Sequence, residues 1–296
     1  MTERIDVVWD METGDPDDFL TLLLLCGHPA VNLKAVTVTP GSRHQVGVVR
    51  WALAAMGRDI PVGAFNIDHP KECVSGWHYR AYGDMPPSDE AAPGWQVLAE
   101  NFDEDTTFIT GAPLKNLGAL IARGDDAPDW KLGRWFAQGG FAGEGVVPPE
   151  LQLSKFAGLD VVPTYNFNGA PRAALAALTD PRIGARWLVS KNVCHRVYYD
   201  PEVHRQVTAV KDQSRALQLI WKGMERYLKK KRDGKKFHDP LAACCAINPD
   251  IGTWVPVEMF RRGGKWGARC KEGSDTHIII DYDPVAFLKT LTTTGP

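Results

Sequence analysis

Five carboxylates fall within nine residues near the start of the chain, in Asp10-Met11-Glu12-Thr13-Gly14-Asp15-Pro16-Asp17-Asp18. Negative charge this dense is costly unless water or a cation neutralises it. Oxygen donors without Cys or His favour a hard cation, calcium or magnesium. The plainer alternative is an exposed acidic loop in which Asp18 caps the next helix. A second concentration, the basic run Lys229 to Lys236, has the opposite sign. It reads either as a solvated helix end that complements the helix dipole or as a binding patch for an anion. The six cysteines show no CxxC spacing and read as free thiols, several of them buried.

Elements that could position these groups alternate along the chain. Ile5 to Trp9 is a short β-branched run that reads as a buried strand, with the acidic loop after it and an apolar helix from Phe19 to Cys26. Leu33 to Val38 and Thr107 to Ile109 read as further strands, and Val46 to Met56 and Leu114 to Ala122 as helices. The stretch from Asn66 to Pro93 reads as a long surface excursion. Farther on, helices are expected at Ala170 to Leu178, Ser214 to Lys230, Asp239 to Ile247 and Pro284 to Leu291. Strands are expected at Arg186 to Val189, Trp254 to Phe260 and His277 to Asp281. This alternation predicts an α/β fold, a single domain over residues 1–296 with a mostly parallel central sheet flanked by helices, Rossmann-like and open. Function is then expected where strands end.

Composition narrows the function classes. With 34 basic and 36 acidic residues the formal charge is -2, so whole-chain electrostatics do not favour a nucleic acid polymer or an anionic membrane. No apolar run reaches the roughly 18 residues of a membrane helix, and a cytoplasmic, unprocessed protein is expected.

Asp10-Met11-Glu12-Thr13 is a near miss for the Asp-x-Asp-x-Thr of haloacid dehalogenase phosphatases, but no convincing downstream Lys or second acidic pair accompanies it. The loop also resembles the Asp-x-Asp-Pro-Gly-x-Asp-Asp of inosine-uridine preferring nucleoside hydrolases, with Glu12 for the second Asp and one extra residue before Asp17-Asp18. The similarity continues in order: Thr37-Val38-Thr39-Pro40-Gly41, Gly111-Ala112-Pro113-Leu114-Lys115-Asn116, Tyr165-Asn166-Phe167-Asn168 and Phe237-His238-Asp239-Pro240. The resemblance implies a calcium-dependent ribohydrolase with Asp10, Glu12, Asp18, Asp239 and the Lys115 main-chain carbonyl around the metal. Glu12, or else Asp15, would take a proton from the attacking water. Asp17 and Asn166 would hold the ribose hydroxyls, with Asn168 nearby in the same segment. His238 would assist the leaving base, and Trp77 and His78 could stack on it. A small nucleoside-like substrate and a homodimer or homotetramer are further implications.

The family commonly has Asn and Glu where this chain has Ser42 and Thr164, both contacting the 5′ end of the nucleoside. Their loss points away from ordinary inosine or uridine specificity and raises two alternatives. The basic run could admit a 5′-phosphorylated or otherwise anionic substrate, or the scaffold could bind a ribosyl ligand without efficient chemistry.

Overall fold

The computed structural model describes residues 4–127 and 129–295. Its strands are β1 (Ile5–Met11), β2 (Val31–Val38), β3 (Val62–Ala64), β4 (Ala92–Pro93), β5 (Thr107–Thr110), β6 (Leu132–Gln138) and β7 (Ile183–Val189). Two short segments, β8 (Tyr198–Tyr199) and β9 (Lys235–Lys236), form a separate antiparallel ribbon. The chain then adds β10 (Gly252–Arg262), β11 (Lys265–Cys270) and β12 (Thr276–Tyr282). Ten strands make one sheet in the order β11-β10-β12-β7-β6-β5-β1-β2-β3-β4. It is parallel throughout except at β10, which runs antiparallel to β11 and β12.

The order reverses at β1. Strands two to four extend from one side of it, and strands five to seven from the other. The βαβ crossovers therefore leave that centre in opposite directions, opening a crevice beyond the carboxyl ends of β1 and β5. β1 is buried on both faces from Val7 onward, as a continuous apolar strand in a covered parallel sheet should be. The following helix, Pro16–Gly27, is buried from Pro16 through Cys26, so its N-terminus is held firmly against the crevice.

The α/β class and mostly parallel sheet agree with the pattern read from the sequence. Most boundaries move by only a few residues: the helix expected from Ser214 to Lys230 covers Arg215–Leu228, and that expected from Asp239 covers His238–Ile247. β6 is absent from the expected set because Leu132-Gly133-Arg134 breaks the apolar pattern at its start. The excursion from Asn66 to Pro93 contains the helix Gly76–Tyr82, which buries Trp77, His78, Ala81 and Tyr82. Cys26, Cys194, Cys244 and Cys245 are buried, and all six thiols are free.

Candidate active site

β1 carries Asp10 into the crevice, fully buried. Its Oδ1 accepts from Thr37 Oγ1 at 2.6 Å and from Asn116 Nδ2 at 2.8 Å. Its Oδ2 is buried with no partner among the described residues. Burial raises the Asp10 carboxyl to about 7, against the opposing pull of those two hydrogen bonds.

The helix Pro16–Gly27 starts with proline at its first position, and Asp15 occupies the N-cap without a side-chain cap bond. Asp18 is therefore not the cap; it lies inside the first turn, where Oδ1 accepts from the Glu12 backbone N–H at 2.9 Å. Asp17, Asp18 and Asp239 each place a carboxylate oxygen within 4.8 Å of the others, and all three are buried. Burial, then Asp239, Glu12 and Asp17, raise Asp18 well above the carboxylate range. Burial, then Asp17, do the same to Asp239. Gly111, just after β5, makes this approach possible, because a Cβ there would sit 2.8 Å from Asp239 Oδ1. The helix dipole favours anionic groups at this end but is too small to offset such crowding alone.

Among the described residues, Lys235 is the cation that reaches into the cluster. Its Nζ is 3.0 Å from both Asp15 Oδ2 and Asp17 Oδ1, and its side chain is only 5% exposed. Burial would lower the ammonium, but Asp17 and Asp15 together hold it above the ordinary lysine range. Four carboxylates close to this single internal cation leave the site short of positive charge.

A cleft of about 380 Å³ opens over these groups, lined by Glu12, Asp15, Asp17, Asp18 and Asp239 together with Gln138, Tyr165, Asn166 and His238. Glu12 is raised to about 7 by burial and by the Asp17 and Asp15 charges, and the Tyr165 hydroxyl donates to its Oε2 at 3.4 Å. Asn166 Nδ2 donates to Gly111 O, Gln138 O and Gln138 Oε1 at 2.8 to 2.9 Å. This fixes the amide so that Oδ1 is buried without a partner. His238 also keeps an unpartnered Nε2, and burial lowers its imidazole to about 4.

His238 lies against His195, rings 5.1 Å apart and inclined by 12°, and these two with Cys194 bring donor atoms within 4.8 Å. Near-parallel stacked rings direct their lone pairs in parallel planes, so they do not converge on one ion. His195 Nδ1 is also bonded to Lys155 Nζ at 2.7 Å. The oxygen cluster is the better cation site.

Several expected site residues lie elsewhere. Trp77 and His78 do not face the cleft as base-stacking groups. They pack edge-on against Phe19, with centroid distances of 6.1 and 5.2 Å, because helix Gly76–Tyr82 turns them inward. Trp77 Nε1 donates to Gly223 O at 3.2 Å, and His78 Nδ1 is 2.9 Å from Ser75 O. Asn168 is committed to backbone, accepting from Thr164 N at 2.8 Å and donating to Gly264 O at 2.6 Å. Lys115 enters the expectation through its main-chain carbonyl, and its side chain stays out of the cleft, with Nζ 5.7 Å from the Phe65 ring centroid. Ser42 caps helix Arg43–Ala55, and Thr164 is buried with an unpartnered hydroxyl.

Conversely, Lys235, Gln138 and Gly111 belong to the site without a local sequence signal that points to it. Lys235 was hidden in the basic run, although the Asp233-Gly234 break before it marks where the chain turns back inward.

Comparison with known proteins bears on this arrangement. Residues 7–289 match the model of the inosine-uridine preferring nucleoside hydrolase family. An uncharacterised protein of Aquifex aeolicus is 27% identical over 288 residues, covering 94% of each chain. Among solved structures, a plant nucleoside hydrolase superposes with TM-score 0.72 at 17% identity, covering 99% of each chain. A purine-preferring ribonucleoside hydrolase from Gardnerella vaginalis gives 0.71 at 16%, covering 97% of each. With a family match over nearly its whole length and a cleft of buried carboxylates at the sheet's switch point, the chain belongs to the inosine-uridine preferring nucleoside hydrolase family, enzymes that cleave N-glycosidic bonds.

Proposed function

We propose that this chain hydrolyses the N-glycosidic bond of a ribonucleoside or a 5′-substituted relative, using a calcium ion held by the carboxylate floor. The observation that carries this reading is the meeting of Asp17, Asp18 and Asp239 within 4.8 Å, and Asp10, near the end of β1, adds a buried Oδ2 without a partner among the described residues. An all-oxygen donor set, a buried lone acceptor and the gap left by Gly111 fit a hard cation. Asp10, Glu12, Asp18, Asp239 and the Lys115 main-chain carbonyl would hold it. When bound, the ion orients the ribose diol and makes a water more acidic.

The remaining steps belong to the chain itself. Glu12 accepts the proton of the attacking water, whose oxygen bonds to C1′ while the C1′–N pair leaves with the base; a solvent water protonates the base, and the hydroxide so formed takes the proton back from Glu12. Glu12 suits this better than Asp15, which is 55% exposed and tied to Lys235. The Glu12 carboxyl lines the cleft and is tied to no cation among the described residues, so it is free to take the proton. Lys235 holds Asp17 in place through Oδ1, and Asp17, lining the cleft, accepts from a ribose hydroxyl. Asn166 presents Oδ1 to a second hydroxyl. His238, neutral near pH 7, meets the departing base as a hydrogen-bond partner rather than as a stored acid.

Release of free base and reducing sugar from a nucleoside panel tests the reading, with Glu12→Gln expected to lose about a thousandfold in kcat. Absence of sugar release across the panel, or release of phosphate from phosphorylated compounds instead, would count against it.

A further inference from the structure

A second cavity, of about 180 Å³, adjoins the cleft and shares Asp15 with it. Arg80, Arg226, Lys230 and Lys231 line it. They come from two elements: Arg80 from helix Gly76–Tyr82, and the others from helix Arg215–Leu228 and the turn after it. None of the four makes an ion pair among the described residues. The nearby acids are already engaged, Glu225 by Lys229 at 3.1 Å and His204 at 3.0 Å, and Asp15 by Lys235 at 3.0 Å.

The wall carrying these cations is held in place. Trp77 Nε1 bonds to Gly223 O at 3.2 Å, and Tyr82 OH donates to Leu219 O at 2.9 Å, locking the two helices together. Gly223 permits the contact, since a Cβ there would lie 2.2 Å from the Tyr82 hydroxyl. Lys230 N and Lys231 N both donate to Tyr227 O at 3.0 Å, which fixes the turn. Four like charges on a braced concave wall repel one another, and an anion relieves that repulsion.

We propose that this cavity binds a phosphoryl group and that the substrate cleaved next to it is a 5′-phosphorylated ribonucleoside. The inference rests on the hydrolase reading above. The pocket's volume suits a single phosphoryl group, and two guanidinium forks with two ammonium groups match a phosphate dianion better than a single carboxylate. The carboxylate floor needs both ribose hydroxyls free, so the 5′ carbon is the position on the sugar left to carry the phosphate. Ser42, engaged in capping, and Thr164 leave the 5′ end without the amide and acid that the resemblance would place there.

The test compares kcat/KM for a nucleoside and its 5′-monophosphate in the calcium-supplied wild type and in Arg80→Gln/Arg226→Gln/Lys230→Gln. It also measures binding of ribose 5-phosphate, ribose and inorganic phosphate to both proteins. The nucleotide should be preferred by at least about tenfold, with the ratio falling to about one in the variant. Ribose 5-phosphate should bind the wild type more tightly than ribose does, and the variant should lose that difference. A wild-type ratio of one or below, or a ratio untouched by the substitutions, overturns the proposal. Binding of inorganic phosphate with no preference for the nucleotide overturns the substrate assignment and makes the free ion the occupant. If neither compound is cleaved, the hydrolase reading fails by itself, while the binding comparison still decides the cavity.

Discussion

The acidic segment Asp10–Asp18 and the basic segment Lys229–Lys236 are each a run of one charge in the sequence, yet they are built in opposite ways. Asp10, Asp17 and Asp18 are buried, because the segment leaves a central strand and immediately enters a buried helix. Lys229 to Arg232 are exposed, because their helix has ended at Leu228 and the chain is turning through solvent. Lys235 alone crosses from one region to the other, into the ribbon of β8 and β9 and then into the acidic cluster. Element boundaries, rather than charge density, decide which run is internal. A buried run of one sign demands a counter-ion to be stable, whereas an exposed run stays hydrated and is open to a ligand.

This contrast can be broken most severely at the floor. Asp239→Asn removes a charge from the centre of the carboxylate cluster, so calcium binding and nucleoside turnover should both fall by about a thousandfold or more, read by calorimetry and by sugar release. Lys235→Met removes the cation paired with the acidic cluster among the described residues. Losing one partner of the buried pair with Asp17 should destabilise the calcium-free protein by about 3 kcal/mol in denaturant unfolding, with calcium restoring part of the loss.

Titration sharpens the same comparison. In the metal-free protein Asp10 and Glu12 rise to about 7 from ordinary values of 3.8 and 4.5. The folded state therefore binds these protons more tightly than the unfolded chain does. The stabilisation is complete below the ordinary values and is lost as pH rises through about 7. Thermal unfolding in chelator should show a Tm that falls from pH 5 to pH 8, and calcium should raise it far more at pH 8. Asp10→Asn should flatten the chelated profile.

The smallest effect is expected at His78. Like His238 it is lowered to about 4 by burial and keeps an unpartnered Nε2, but it faces Phe19 instead of the cleft. His78→Phe should change kcat/KM by less than about twofold, whereas His238→Phe should lower it by about a hundredfold.

What was legible in the sequence followed from local chemistry. Five carboxylates directly after a β-branched run marked both the strand end and the candidate site, since strand ends at a switch point are where ligands bind. His238 and Asp239 were legible as the opening of an apolar helix. The aromatic loop was not, because Gly-Trp-His-Tyr reads equally as a stacking surface and as plain loop packing. Only the tertiary contact with Gly223 decides which way Trp77 points. Lys235 was obscured for a related reason: one lysine among neighbours of the same type has no local mark of burial, and its two carboxylate partners lie more than two hundred residues away in sequence. Asn168 looked like a second ribose ligand beside Asn166, but its amide satisfies two backbone groups.

The most direct test of the buried carboxylates as a catalytic cation site is nucleoside turnover by chelator-stripped protein titrated with calcium. Turnover should be absent after stripping and return in proportion to calcium, saturating at one ion per chain, and Asp239→Asn should show no such return. Full activity in the stripped protein, or no activity at any calcium concentration, would contradict it.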